Sequence, residues 1–363
     1  MQPSPKNRAV IAAAGSRKTQ YVIDEALGAQ PEQRILISTY TRENCEQISR
    51  RLHRANGGLP PNVQVVSWFG LLMNQAARPY QSAVAGRIDY GRSLNFKPNP
   101  NQYARKDRPL SYYFDKSSNF YRNVLADFVV EADRRTRGRV IRRLERLYDA
   151  VYIDELQDLA GSDLHFLDLL FASKIPVTVV GDPRQSTYLT NNSNTNKKYR
   201  RGGIVDWLTE RAGAKVCTIE ERTESWRCNQ AICDWADGLY PDLPRTISKN
   251  HTRTGHDDVV YLAHEDVPLY VEKFQPTVLR WNRSGNTLGL TAMNIGVSKG
   301  STFDRVLIFP TQSIVRYLVS MDLDKLAARP HLYVAVTRAK HSVAFVVDRK
   351  YANYAPLAIA GTD

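Results

Sequence analysis

Short apolar segments alternate with polar segments of helical spacing through the first third of the chain, and this order restricts the fold more than any other feature. Residues 8–14, 34–39 and 63–67 have the length and composition of buried strands. Between the last two, residues 42–55 have apolar side chains at helical spacing. Strands that alternate with helices indicate a parallel sheet with crossover connections. The sequence therefore predicts an α/β fold.

The same pattern returns further along the chain. After a stretch rich in Tyr, Asn, Arg and Pro, apolar segments at 151–153 and 177–180 resume the first sheet. A polar, Asn-rich segment then leads into a second series of strands and helices. We therefore expect two parallel-sheet domains, at 1–189 and 190–363, with a small accessory subdomain inserted at 79–147.

The charge balance indicates a polyanionic partner. The 363-residue chain has 50 Lys and Arg against 37 Asp and Glu, a formal net charge of +13. Such an excess of positive charge is typical of proteins that bind nucleic acid. The alternative is a soluble protein that is basic for no such reason.

Cysteine usage and apolar runs exclude several other classes of protein. The four cysteines have no CxxC spacing, which argues against a disulfide framework, a zinc site and an iron–sulfur cluster. A polar N-terminus without an apolar h-region argues against a signal peptide, and no apolar run has the length of a membrane span. We expect a cytoplasmic protein, of a bacterial cell or a virus-infected host cell, without a membrane partner.

The segment AAAGSRKT at 12–19 has the pattern of a phosphate-binding loop. A strand ends in small residues and a helix begins at Lys18, so that backbone N–H groups and the helix N-terminus face a phosphate. Lys18 then reaches the β and γ phosphates of ATP, and the Thr19 hydroxyl binds Mg²⁺. Of the glycines in the strict pattern only Gly15 is present, so an ordinary strand–turn–helix is the alternative.

Two adjacent acids follow a second buried strand. Asp154 and Glu155 come directly after the apolar residues 151–153. Carboxylates at the end of a strand can bind Mg²⁺ and activate a water molecule, and we assign these roles to Asp154 and Glu155 respectively. A pair of solvated acids is the alternative, and the buried character of the strand argues against it.

Taken together, these segments resemble the UvrD/Rep-like family of superfamily-one helicases. The DExQD box at 154–158 and the YVAVTRAK segment at 333–340 are the most specific matches. The other segments are similar to the family's TFTN, TIHSFG, GDxxQxIY, NYRS and SAKGLEF elements, and they lie at 39–52, 65–70, 181–188, 225–228 and 297–304.

This resemblance implies two RecA-like domains that hydrolyse ATP with Mg²⁺ and move 3′ to 5′ along single-stranded DNA, unwinding duplex in DNA replication or repair. It also implies individual roles. Gln157 would couple the phosphate state to the rest of the core, and Gln185 would sense the γ-phosphate. Trp226 would stack on adenine, and Arg227 and Arg338 would be arginine fingers from the second domain.

The predicted nucleotide site combines the loop and the resemblance. Gln20 stands where the family often has an arginine. The residues expected to bind nucleotide are Ala14, Gly15, Ser16, Arg17, Lys18, Thr19, Gln20, Gln157 and Trp226.

Aromatic and basic residues indicate a track for a single nucleic-acid strand. Tyr199 is the most distinctive, because it is flanked on both sides by Lys and Arg. Core packing is the alternative for each aromatic residue, and it is the better interpretation for Phe69. The same alternative applies to Trp68. The residues expected on the track are Thr39, Tyr40, Trp68, Tyr188, Tyr199, Trp281 and Lys299.

One predicted helix is unusually basic. Residues 134–147 have an apolar face, and the opposite face carries five arginines, at 135, 139, 142, 143 and 146. A solvated face and a phosphate-contacting face are both compatible with this pattern.

Two other functions are compatible with the sequence. The interval between Arg227 and Lys299 is too short for the family's large second-domain insertion. A nucleic-acid-stimulated ATPase subunit that regulates a nuclease or an antiviral defence complex is therefore an alternative, with a nuclease or a replication factor as its protein partner and RNA in place of DNA as a further variant. A binding protein with a relic ATP site is the other alternative, and the presence of Lys18, Asp154 and Glu155 argues against it.

Overall fold

The computed structural model describes residues 6–99 and 103–354. Residues 1–5, 100–102 and 355–363, which fall within the predicted domain ranges, lie outside the described residues. The chain divides into two compact units. The first comprises residues 1–12 and 18–221, and the second comprises residues 13–17 and 222–363.

The first unit contains most of the predicted α/β elements. Its strands are β1 (Asn7–Ala12), β2 (Ile35–Thr39), β3 (Val63–Ser67), β4 (Leu94–Asn95), β5 (Phe120–Tyr121), β6 (Ala150–Ile153), β7 (Val177–Gly181) and β8 (Cys217–Arg222), whose last residue belongs to the second unit. Its helices are α1 (Lys18–Leu27), α2 (Arg42–Asn56), α3 (Trp68–Gly70), α4 (Gln81–Ala85), α5 (Pro109–Tyr113), α6 (Leu125–Arg135), α7 (Arg139–Leu147), α8 (Ser162–Ala172) and α9 (Ile204–Gly213).

Six of these strands form one sheet in the order β3-β2-β6-β7-β1-β8. The pairs from β3 to β1 are all parallel, as the alternation of strands and helices predicts. The carboxyl ends of parallel strands lie at one edge of a sheet, and this is where α/β proteins bind their ligands. The residues that follow β2, β3, β6 and β7 are Tyr40, Trp68, Asp154 and Asp182.

The first unit extends beyond the predicted domain boundary at 189/190. Ile204, Trp207 and Cys217 are buried in the same apolar core as Val151 and Val177 of the sheet. Residues 190–221 therefore belong to the first unit because their apolar side chains complete its core, and the boundary lies at 221/222.

The predicted insertion shares that core. Phe120, Leu125 and Phe128 are buried with the side chains of the sheet. The single helix predicted at 134–147 is divided, because Gly138 has a φ of 84° in the left-handed region and separates α6 from α7.

The second unit is built around another parallel sheet. Its strands are β9 (Glu224–Ser225), β10 (Ile247–Ser248), β11 (Val259–Ala263), β12 (Thr277–Arg280), β13 (Met293–Asn294), β14 (Phe303–Phe309) and β15 (Ala339–Val347). Its helices are α10 (Gln230–Asp237), α11 (Val267–Phe274), α12 (Gln312–Ser320) and α13 (Arg329–Val336).

Five strands of the second unit pair in parallel in the order β11-β15-β14-β12-β13. The predicted fold class, α/β with one RecA-like parallel sheet in each domain, is confirmed. Among the described helices, none combines the length and the apolar character that crossing a membrane requires.

Candidate nucleotide and nucleic-acid sites

The acids predicted to hold Mg²⁺ and to activate water lie at the carboxyl end of β6. The hydroxyl of Thr19, in the first turn of α1, donates a hydrogen bond to Asp154 Oδ2 at 2.8 Å. Burial raises the pKa of Asp154 to about 6, with a further increase from the negative charge of Glu155 and an opposing effect of Lys18. The structure therefore places Lys18, Thr19, Asp154 and Glu155 near one another.

This arrangement fits a magnesium ion. A buried carboxylate whose pKa is raised lacks sufficient positive charge around it, and a divalent cation supplies that charge. Thr19 and Asp154 offer the hard oxygen ligands that Mg²⁺ prefers. Among the described residues no group of three or more His, Cys, Asp or Glu could hold a metal ion. Protein oxygens from Thr19 and Asp154, completed by phosphate and water, match the usual mode of Mg²⁺ binding.

A buried chain of hydrogen bonds leads away from Glu155. The side-chain amide of Gln157 donates to the Glu155 carboxylate, and Gln157 Oε1 accepts the backbone N–H of Asp182 at 3.0 Å. Gln185 Nε2 in turn donates to Asp182 Oδ2 at 2.7 Å. Gln157, Asp182 and Gln185 are all buried. Gly181 permits this close packing, because a Cβ there would lie 2.6 Å from Gln157 Oε1.

Arg51 is a cation of this site that the sequence did not single out. Its guanidinium donates to the side chain of Gln20, whose Nε2 donates to Asp24 Oδ1 at 2.6 Å. Burial lowers the pKa of Arg51, and the negative charges of Asp154 and Asp24 oppose that effect. Arg51 directly precedes the buried Leu52 on α2. This position next to the apolar face of the helix is the sequence feature that could have identified Arg51.

The loop at 13–17 packs within the second unit, against the segment that contains Arg227. The backbone N–H of Trp226 donates to the Gly15 carbonyl oxygen at 3.0 Å. Gly15 has a φ of 80°, and a Cβ there would lie 2.5 Å from Ser225 Oγ and 2.8 Å from Arg227 Cβ. Glycine is thus required at this position both for its backbone conformation and for the close approach.

Arg17 lies on the residue predicted to stack on adenine. Its guanidinium carbon is 4.0 Å from the centroid of the Trp226 ring, in a cation–π arrangement, and Arg17 itself has a φ of 60°. The Trp226 side chain is 46% exposed. The ring is therefore accessible on the surface of the second unit, with Arg17 on one side of it.

The two predicted arginine fingers are held by carbonyl oxygens of the second unit. Arg227 Nη1 donates to the Thr337 carbonyl at 3.0 Å. Arg338 Nε donates to the Val334 carbonyl at 3.0 Å, and its Nη1 donates to the Ser301 carbonyl at 3.3 Å. Arg338 is buried and Arg227 is partly exposed. Both guanidinium groups are thus oriented by the backbone around residues 334–337.

An aromatic groove of about 650 Å³ lies beside the carboxyl ends of β2 and β3. We use this name for the cavity whose lining includes three rings, three arginines and one acid, namely Tyr40, Phe69, Phe96, Arg42, Arg78, Arg92 and Glu43. The ring of Phe69 is 6.0 Å from that of Tyr40 and 6.2 Å from that of Phe96. The exposed Tyr188 extends the row, with its ring 6.2 Å from that of Tyr40. Rings and arginines in one groove are the combination that binds single strands.

The predictions for two aromatic track residues were wrong. Trp68 is 1% exposed, and its indole N–H donates to Asp163 Oδ1 at 2.7 Å. Tyr199 is 6% exposed, and its hydroxyl donates to Glu210. Neither ring is available for stacking on a base, because both rings are buried in the core of the first unit. The alternative of core packing is the correct one for Trp68, whereas Phe69 lines the aromatic groove.

The remaining track residues fall into two groups. In the first unit Tyr40 and Tyr188 lie close together. The Thr39 side chain is buried, with its hydroxyl accepting a hydrogen bond from Asn44, so it is not available to a bound strand. In the second unit Lys299 is partly exposed, and the ring of Trp281 packs 4.6 Å from that of His331.

Comparison with known proteins identifies a family for part of the chain. Residues 110–197 match the family model described as the UvrD/REP helicase N-terminal domain. Among curated proteins, the Gabija protein GajB of Bacillus cereus (strain VD045) is 24% identical over 273 residues, which cover 72% of this chain and 51% of that protein. The chain therefore spans about half the length of this relative.

Solved structures of helicases align with nearly the whole chain at low identity. The crystal structure of arterivirus nonstructural protein 10 (helicase) aligns over 96% of this chain and 62% of that one, at 15% identity and a TM-score of 0.49. Its complex with DNA aligns over 94% and 61%, at 15% identity and a TM-score of 0.46. The family match confirms the predicted relationship to the UvrD/Rep-like helicases.

Proposed function

We propose that this UvrD-like chain is an ATPase that moves along single-stranded DNA, 3′ to 5′, and unwinds duplex. The observation that carries the proposal is the buried chain from Glu155 through Gln157 and Asp182 to Gln185, beside the Thr19–Asp154 pair. An acid that activates water is thereby tied to a residue suited to sense the γ-phosphate. Such a connection makes the position of Glu155 depend on the state of the nucleotide.

Hydrolysis follows from the charges of the site. Lys18 neutralises the β and γ phosphates, and Glu155 accepts a proton from the attacking water. Bound Mg²⁺, held by Thr19 and Asp154, would neutralise the developing charge on the phosphate oxygens. Arg227 and Arg338 supply positive charge that matters most in the transition state. The close approach of Gly15 to the Cβ and backbone N of Arg227 supports this role, because it holds Arg227 beside the predicted phosphate-binding loop.

The aromatic groove is the proposed track for the single strand. Tyr40, Phe69, Phe96 and Tyr188 would provide faces on which bases stack, and the exposed Arg42 and Arg92 would contact the phosphates. The exposed arginines of α7 extend the basic surface. This chemistry accepts DNA and RNA alike, since every base has an aromatic face.

A second function is favoured by the similarity to the Gabija protein GajB and by the short interval between Arg227 and Lys299. In this alternative the chain is a nucleic-acid-stimulated ATPase subunit that regulates a nuclease or an antiviral defence complex. The ATPase chemistry is the same, and the difference is that unwinding requires the partner.

Two assays on the purified chain test these proposals. ATP turnover is measured with and without single-stranded DNA or RNA, and strand separation is measured on a duplex with a 3′ overhang and on one with a 5′ overhang. Stimulated turnover with unwinding of the 3′-tailed duplex supports the helicase. Stimulated turnover without unwinding supports the regulatory ATPase. ATP turnover that does not change when nucleic acid is added contradicts both proposals.

A further inference from the structure

Asp163 is a fully buried carboxylate that the catalytic scheme does not use. It lies in the first turn of α8, and its side chain is enclosed by the first unit. Burying a carboxylate is costly unless donors compensate for the lost water. Burial raises the pKa of Asp163 to about 6, against the opposing effects of hydrogen bonds from Thr190 and Trp68. The hydrogen bonds to Asp163 in turn hold its two donors, Thr190 and Trp68, in place.

Each carboxylate oxygen accepts a hydrogen bond from a different segment of the chain. Trp68 Nε1 donates to Oδ1 at 2.7 Å, and the Thr190 hydroxyl donates to Oδ2. We call these three residues the Asp163 junction. Hydrogen bonds to a charged acceptor are strong and directional. Displacement of either segment therefore breaks its own hydrogen bond to Asp163, and the other segment cannot replace that bond.

Both segments end at the aromatic groove. Trp68 is followed directly by Phe69, which lines the groove. The ring of Trp68 packs against Phe166 of α8, with 5.8 Å between the ring centroids. Thr190 comes two residues after Tyr188, whose ring extends the aromatic row. The junction thus fixes the backbone beside two of the proposed base-stacking side chains.

The junction also reaches the catalytic acids. The Thr190 backbone N–H donates to the Asp158 carbonyl at 2.8 Å, and the Asp158 N–H donates to the Glu155 carbonyl at 3.0 Å. The Thr190 hydroxyl in addition accepts the backbone N–H of Ala160 at 3.0 Å. Thr190 therefore connects the groove, Asp163 and the segment that carries Glu155.

We propose that Asp163 is a positioning residue that couples occupancy of the aromatic groove to ATP hydrolysis. This inference rests on the proposed function, because it presupposes that the groove binds a single strand and that Glu155 hydrolyses ATP. A strand that stacks on Phe69 and Tyr188 pulls on both segments, and Asp163 transmits the displacement through Thr190 to Glu155. Coupling of this kind is measured directly as the change in ATP turnover that strand binding produces.

The test compares ATP turnover with and without a short oligothymidylate. The Asp163→Asn variant keeps the shape and an acceptor for Trp68, but it turns the second oxygen into a donor. We expect basal turnover to stay within about threefold of the wild type and the stimulation by oligothymidylate to fall about tenfold. Asp133→Asn is the matched control, because Asp133 is also buried and accepts a backbone N–H, from Ile141, away from the junction. Its stimulation should equal that of the wild type.

Variants of Thr190 separate coupling from mere support of the fold. Thr190→Val should reproduce the loss of stimulation, and Thr190→Ser, which restores the hydroxyl, should recover it. In a double-mutant cycle, Asp163→Asn and Thr190→Val should reduce the stimulation of ATP turnover non-additively. Both changes remove the same interaction, the hydrogen bond from the Thr190 hydroxyl to the Asp163 carboxylate. If Asp163→Asn does not fold, the two Thr190 variants test the proposal through the same measurement, the stimulation of ATP turnover by oligothymidylate.

Normal stimulation in Asp163→Asn or in Thr190→Val would overturn the inference. An equal loss of basal and stimulated turnover would also overturn it, because a structural role moves both. These results differ from a failure of the proposed function, which would appear as a wild-type protein whose turnover ignores oligothymidylate.

Discussion

The side-chain amide of Gln157 donates a hydrogen bond to the carboxylate of Glu155. The other end of the same amide accepts the N–H of Asp182 at 3.0 Å, and Asp182 holds Gln185. The acid proposed to activate water is therefore oriented by a residue that also contacts the segment after β7.

Glu155→Gln should lower the rate of ATP hydrolysis by about 100-fold or more, because a general base is lost while the neighbouring phosphate contacts stay. Nucleotide affinity, measured by calorimetry, should remain close to that of the wild type. Glu46→Gln, an exposed acid on α2, is the control and should turn over normally. Near-normal turnover by Glu155→Gln would remove the proposed base.

Arg227→Ala should lower kcat by roughly 10²- to 10³-fold and change KM little, because its charge stabilises the transition state more than the ground state. Steady-state kinetics check this, with the exposed Arg253→Ala as control. A variant that only raises KM would show that Arg227 binds ATP and does not act as an arginine finger. Arg338→Ala should lower kcat in the same way, with an added loss of stability because Arg338 is buried and bonded to backbone carbonyls.

Tyr188→Ala should weaken single-strand binding by about 1–3 kcal/mol if a base stacks on its ring. Tyr351→Ala, with a ring of similar exposure in the second unit, is the matched control: the two side chains are 39% and 37% exposed. Tyr199→Ala should leave affinity unchanged and lower stability instead, because that ring is buried. Fluorescence anisotropy with a labelled strand measures all three. Equal affinity of Tyr188→Ala and wild type would remove Tyr188 from the track.

Gly15→Ala should destabilise the protein more than Gly57→Ala. Both glycines have a positive φ, which costs an alanine roughly 1–2 kcal/mol. Only at Gly15 would the new Cβ also meet Ser225 and Arg227, whereas nothing lies within 4 Å at Gly57. Urea unfolding should therefore show an additional loss of about 1–3 kcal/mol for Gly15→Ala. Equal effects would mean that the loop does not pack against residues 225–227 in solution.

Asp163 should make stability depend on pH between about 4 and 6. Its pKa is raised from the ordinary 3.8 to about 6, by burial above all and in spite of the nearby charge of Arg122. The folded protein therefore binds a proton more tightly than the unfolded chain, and the corresponding stability is present below pH 4 and lost as the pH rises through 6. Asp163→Asn should lack this part of the pH dependence in urea titrations, while the similar part from Asp154 remains. An identical pH profile for the two proteins would contradict the raised pKa.

The parts of the fold that the sequence predicts are those encoded locally. The strands before Tyr40, Asp154 and Asp182 are short apolar runs followed by polar residues, so strand ends and the residues on them could be inferred without tertiary information. The parallel sheets follow from the same alternation of strands and helices.

The parts that the sequence does not predict depend on packing between distant segments. Trp68 and Tyr199 are of residue types that stack on bases, but both rings are buried in the apolar core of the first unit, where their polar atoms donate to Asp163 and Glu210. Phe96 belongs to the insertion, and only the folded chain brings it to Phe69. The domain boundary moves for the same reason, because residues 190–221 are polar at their start and apolar only where they meet the first core.

The central claim is that ATP hydrolysis at Glu155 responds to a nucleic-acid strand bound by the first unit. Its most direct test is the rate of ATP hydrolysis by the wild-type chain, titrated with single-stranded DNA, beside the same titration of Glu155→Gln. We predict a saturable increase in turnover for the wild type and no increase for the variant. Turnover that stays constant across the titration, or that persists in Glu155→Gln, would contradict the account.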